Sequence, residues 1–264
     1  MFKKTAIFLF TIVVLVVCLS SCDKGLTVNE KALLEYPGLE WNMTPEEVQK
    51  ALNISDNQIK SDKTKEANQT AAPYEMRTVI VQDISLFGTE VLNVIFGYLR
   101  YENNDFGLCS IEIYYPEETD MQLVVDNMTG YYGEGTDDSF VECTIRNGEV
   151  VRLHGSDSFN INGELWEPEK DPNYIRSYWC GTKKGTEVLS KAGQEKMVDF
   201  YVERLQITPE VALEYLEKQP MVQVRAVNIT PNAVGAGAES EGITHNYVRF
   251  SATYLVMMIQ QFGQ

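Results

Sequence analysis

Two histidines and 38 carboxylates are the side chains of this 264-residue chain best suited to acid–base work. His154, Ser156 and Asp157 stand together in HGSDS. A Ser–His–Asp triad draws its members from separate elements beside an oxyanion hole. Neighbours in one strand-end turn do not converge in that way, and no Gly-x-Ser-x-Gly elbow occurs. The segment therefore reads as a polar turn, and His245, in a glycine-rich stretch, as a solvated side chain. Carboxylates cluster at Glu134, Asp137 and Asp138, and again at Glu167, Glu169 and Asp171. Paired carboxylates can cleave glycosides and oxygen clusters can hold calcium. Neither segment has the EF-hand spacing, so the expectation is a solvated acidic face. No catalytic residue, metal ligand or cofactor motif is assigned, and no glycine-rich phosphate loop is present. A carboxylate-dependent extracytoplasmic hydrolase, with or without calcium, is the alternative reading.

The sharpest chemical signal is at the N-terminus. Lys3 and Lys4 precede a nearly unbroken apolar run from Ala6 to Leu19, which ends Leu19-Ser20-Ser21-Cys22. Fourteen helical residues reach ~21 Å, short of a ~30 Å hydrocarbon core. That length suits the apolar core of a signal peptide. An aliphatic residue and two small ones before a cysteine resemble the lipobox of bacterial lipoproteins. The resemblance implies that residues 1–21 are removed, with Leu19, Ser20 and Ser21 as the processing site. It also implies that the Cys22 thiol carries diacylglycerol and anchors the chain to the cell membrane or the outer membrane, on the extracytoplasmic side. Two acyl chains hold stably where one is marginal. Removing Lys3 and Lys4 takes the formal charge from −16 to −18, so anionic lipid repels the body and the lipid must do the holding. The same charge argues against a nucleic-acid partner, which needs a surplus of cations. The partners expected are the membrane, through the anchor, and an unknown protein or envelope component.

Processing leaves Cys109, Cys143 and Cys180, an odd number with no Cys-x-x-Cys pair. Cys109 alternates with Ile111 and Ile113, and Cys143 with Val141 and Ile145, as core thiols would. A Cys143–Cys180 disulfide and three buried thiols both remain open.

An α+β fold, mostly antiparallel sheet with helices on one face, is expected from the elements that would position these groups. Residues 22–36 read as the lipidated cysteine and a polar tether, 37–136 as one α+β module, and 137–264 as a second half packed on it. Thr44, Pro45 and Glu47 form a capping box before the stripe Val48, Ala51 and Leu52. Residues 53–73 read as a loop. Strands are expected at 76–83, 90–99 and 107–115, then a helix over 117–133 that buries Met121, Val124, Val125 and Met128 and stops at Gly133. Asn147-Gly148 and Asn162-Gly163 each mark a hairpin. A strand at 174–181 precedes helices at 191–205, with Val198, Tyr201, Val202 and Leu205 inward, and at 209–218. The runs 221–229 and 246–259 read as closing strands. Thr-Pro-Glu opens two helices, but any well-capped amphipathic helix matches to that extent.

Gly38, Leu39, Trp41, Met43, Thr44, Glu47 and Val48, followed by a hairpin and a helix ending Tyr132-Gly133, resemble small lipoprotein modules of the outer-membrane assembly type. Those modules share an architecture with β-lactamase-inhibitor-like domains. Asn42 stands where that pattern has glycine. The resemblance implies an interaction domain. Trp41 and Trp179 read as core, whereas Trp166, beside a hairpin turn, is the candidate binding-surface aromatic.

Overall fold

The computed structural model describes residues 33–66, 74–135, 141–154, 159–161, 164–166, 174–228 and 246–263. Helix α1 (Pro45–Ala51) is followed by strands β1 (Ile59–Lys65), β2 (Glu75–Val81), β3 (Ser85–Leu86), β4 (Thr89–Glu90), β5 (Asn93–Arg100) and β6 (Gly107–Tyr114), then by α2 (Met121–Tyr132). Next come β7 (Val141–Arg146), β8 (Glu149–His154), β9 (Phe159–Ile161), β10 (Glu164–Trp166) and β11 (Arg176–Cys180). Helices α3 (Gly185–Val188), α4 (Lys191–Leu205) and α5 (Pro209–Lys218) precede β12 (Gln223–Asn228), β13 (Asn246–Ser251) and α6 (Thr253–Phe262).

Seven strands form one antiparallel sheet in the order β1-β2-β5-β6-β13-β12-β11. The fold is α+β, as the sequence predicts. Strands from both of the expected segments, 37–136 and 137–264, enter this sheet and meet where β6 pairs with β13. One registered row crosses six strands: Val79, Phe96, Ile111, Phe250, Val224 and Trp179. All six are buried. Each such side chain contributes roughly 1.5–3 kcal/mol by leaving water, so this row is the spine of the core.

Helices α2 and α6 pack on this sheet. α2 follows β6 yet packs on β12, and α6 follows β13 yet packs on β5 and β6. Each half of the sheet is thus covered by the helix leaving the other half, which locks the two together. Phe87, Tyr36 and Tyr132 meet Phe250 with ring centroids 6.1–6.3 Å apart.

The local signals act as their chemistry dictates. The Thr44 hydroxyl accepts from Glu47 N, and the Glu47 carboxylate accepts from Thr44 N at 2.8 Å. Of the predicted α1 stripe, Val48 is fully buried, Leu52 is half-buried and Ala51 is exposed. Met121, Val124, Val125 and Met128 are buried, and α2 stops at Gly133 with φ +84°. Asn147 and Gly148 both take positive φ, which the tight turn between β7 and β8 requires. Asn42, at the position where the lipoprotein-module pattern has glycine, has φ +72°. Glycine enters that region without cost and asparagine tolerates it.

Four expectations need correction. Residues 59–65, read as loop, form edge strand β1. Its side chains are too polar to show a sheet pattern, because it buries only part of one face. The run 246–259 is not one strand. It breaks at Ala252, and Leu255, Val256, Met258 and Phe262 then recur at helical spacing on the buried side of α6. In α4, Tyr201 is buried and Val198 and Val202 are half-buried against the core as expected, but Leu205 is exposed and Gly193 and Met197 are buried in addition. The tether ends before residue 36, since Leu34, Glu35 and Tyr36 are buried. Trp41 Nε1 donates to Leu33 O at 2.8 Å, and the Tyr132 hydroxyl donates to Glu35 O at 2.9 Å. These bonds stitch the entering chain to the core.

Candidate functional site

The corner where α1 meets the edge of the sheet collects charge around a crevice. The capping box fixes the start of α1, so Glu46, Val48 and Gln49 face Ile59, Arg77 and Tyr98 across a gap of about 30 Å³. That is room for a water molecule. Arg77 lies at the gap and binds Asp62 with both arms of its fork: Nε donates to Oδ1 at 3.0 Å and Nη2 to Oδ2 at 2.8 Å. Glu46 approaches the same guanidinium at 3.6 Å. The hydrogen bonds from Arg77 hold the Asp62 carboxyl below its ordinary pKa, and the same bonds raise Arg77. Burial pushes the Tyr98 hydroxyl up, so it stays protonated at neutral pH. Arg100 stacks over Phe106 at 4.4 Å and pairs with Glu75.

A carboxylate held ionised by a bidentate arginine is a poor general acid. What this corner offers instead is shape and backbone. β1 is the last strand of the sheet, and among the described residues its only ladder is with β2. Asp62 to Lys65 are exposed. An antiparallel edge strand turns the N–H and C=O groups of alternate residues outward. The crevice lies between α1 and the core-side residues Asp62 of β1, Arg77 and Val79 of β2, and Phe96 and Tyr98 of β5.

The opposite face of the sheet carries a mix of charged and aromatic side chains. There Arg249 Nε meets Glu112 at 3.1 Å, the Tyr114 hydroxyl donates to Glu112 at 2.9 Å, and Arg225 lies 5.1 Å over the Tyr247 ring. Tyr114, Val227 and Tyr247 form a small buried cluster on this face.

The residues singled out from the sequence do not gather at the corner. Leu19, Ser20, Ser21 and Cys22 lie outside the described residues, as do Ser156, Asp157, Asp137, Asp138, Glu167, Glu169, Asp171 and His245. His154 ends β8, paired with Val141. Trp166 ends β10 opposite Phe159, and its side chain lies outside the described set. Cys143 and Cys180 are thiols and no disulfide joins them. The reason is placement. Cys143 is buried against α5, its Sγ donating to Lys218 O at 3.2 Å and its N–H to Gln219 Oε1 at 3.0 Å. Cys180 shares a face with Arg176 and Tyr178, the face opposite the Trp179 core row, and is exposed. Cys109 is buried, and burial raises its thiol to about 11. Among the described residues no three His, Cys, Asp or Glu side chains come together as a metal site, and no described helix is long and apolar enough to cross a membrane.

Sequence reasoning missed Arg77, Asp62 and β1. The available signal was Lys60, Lys63 and Lys65 in an otherwise polar run. Lysines at such spacing mark a guarded sheet edge.

No protein-family model, curated protein or solved structure matches this chain.

Proposed function

We propose that the chain is a lipid-anchored extracytoplasmic protein that binds a protein partner at the corner formed by α1 and β1. The observation that carries the reading is the exposed β1 edge beside the α1 crevice, on a sheet whose other edge differs. There, Ser177, Tyr178 and Trp179 of β11 are buried. The anchor reading rests on Lys3, Lys4, the apolar run and Leu19-Ser20-Ser21-Cys22. Residues 23–32 join Cys22 to the first described residue, Leu33. Even fully extended, a segment of that length reaches no more than about 36 Å, so the body stands close to its membrane and reaches partners in or on it.

Two experiments test this. Cys22→Ser should release soluble protein or leave an uncleaved precursor, and normal processing with unchanged membrane association would refute the anchor. For binding, a photo-cross-linking residue at Gln49 or Lys65 of the full-length protein in its native membrane should give a discrete polypeptide adduct. The same probe at Leu213, on exposed α5 surface, should give none. No adduct at the corner would refute the binding reading.

A further inference from the structure

We infer that β1 takes up an extended, acidic segment of the partner as an added strand. The inference rests on the binding reading and names its mode and chemistry.

The bulge between Ile59 and Ser61 shifts the β1–β2 register, and such a bulge twists the start of an edge away from further pairing. The open length is therefore Ser61–Lys65. Lys63 pairs with Thr78 and Lys65 with Met76, which places both lysines on the sheet face opposite the core row. Asp62 pairs with Val79 on the core side, where Arg77 already holds its charge. With Lys60, the edge thus presents three lysines, against Asp62, which Arg77 holds, and the exposed Glu66 that follows Lys65. This is a local cationic strip on a chain whose formal charge is −16.

That strip selects its occupant. A second copy docking edge to edge would set lysine against lysine, and like charges directly opposite are destabilising. An acidic strand gains cross-strand pairs at the same positions, so the charges that refuse self-association favour such a partner. Strand addition draws affinity from backbone hydrogen bonds and specificity from alternate side chains. Acidic residues two apart would meet Lys63 and Lys65. The residues between them would turn to the core side, beside Asp62 and Thr64.

The probe is a blocked seven-residue peptide alternating Glu and Val, with a Lys–Val peptide as control, titrated into the full-length protein in detergent. The Glu–Val peptide should bind, slow amide exchange within Ser61–Lys65, and weaken with added salt. Lys63→Glu combined with Lys65→Glu should weaken it at least tenfold and let the Lys–Val peptide bind. Absence of binding, binding without new protection at Ser61–Lys65, or affinity unchanged by the double substitution would overturn strand addition. The cross-linking separates this from the underlying reading. An adduct whose joined partner segment is neutral, basic or helical overturns strand addition and leaves binding standing. No adduct at the corner removes both.

Discussion

Strand β6 runs GLCSIEIY and strand β1 runs IKSDKTK, yet both belong to one antiparallel sheet. β6 lies at the centre, with β5 and β13 on its flanks and α6 above it. Its Ile111 and Ile113 are completely buried. Among the described residues β1 has one neighbour, and its surface is mostly exposed. Where β6 supplies Ile111 to the core row, β1 supplies Asp62 at the row's end, bound to Arg77. The centre is held by burial on both sides of its ladder. The edge is held by backbone pairing to β2 and one surface ion pair. A strand with so little apolar surface does not build the core, which leaves it free to serve another purpose.

Breaking the centre should be costly. Phe250→Ala removes the ring that Tyr36, Phe87 and Tyr132 surround, and about 3–5 kcal/mol of stability should be lost in equilibrium urea unfolding. The next effect concerns the junction of the central strands with the N-terminal segment. Gln260 is buried, accepts from Tyr101 N at 2.9 Å, and donates to Asn42 Oδ1 at 2.8 Å and Asp105 O at 3.1 Å. Gln260→Leu leaves the Tyr101 amide and those oxygens unpaired, and should cost about 1–3 kcal/mol in the same assay.

At the edge the expected effects shrink. The folded pKa of Asp62 lies below its unfolded value. Its contribution is therefore present above the unfolded value near 4 and is lost as pH falls through the lower folded value. The Asp62 side chain is 41% exposed, so solvent screening keeps the gain under about 1 kcal/mol. Asp62→Asn should lower stability slightly at pH 7 and by less as the pH falls below about 4, as read from unfolding curves at a series of pH values. The smallest effect should come from Lys63→Glu with Lys65→Glu. Stability should stay within about 0.5 kcal/mol, although the same pair should decide peptide binding. A stability loss near that of Phe250→Ala would mean that β1 is a core element and would end the contrast.

The same contrast explains what could be read in the sequence. Thr44-Pro45-x-Glu47 and Asn147-Gly148 are local chemistry, complete within a few residues, and both appear in the structure as read. Met121, Val124, Val125 and Met128 were legible because α2 buries one full face. β1 was illegible because an edge strand owes its existence to a neighbour, β2, rather than to its own pattern. α6 was hidden by continuity: apolar residues run straight from β13 into it, and only the break at Ala252 separates the periods. The pairing of β6 with β13, which makes one sheet of two segments, joins residues over a hundred positions apart. No local signal carries it. The corner itself was not picked out, because Arg77 and Asp62 come together only once β1 has paired with β2.

The central claim is that the β1 edge is open in the protein alone and paired when the partner is present. Residue-resolved amide exchange of the full-length protein, purified in detergent and then in its native membrane, tests this directly. The outward amides of Ser61–Lys65 should exchange quickly in detergent and at least tenfold more slowly in the membrane, while the β6 amides stay equally protected in both. Equal exchange at Ser61–Lys65 under the two conditions would contradict the claim.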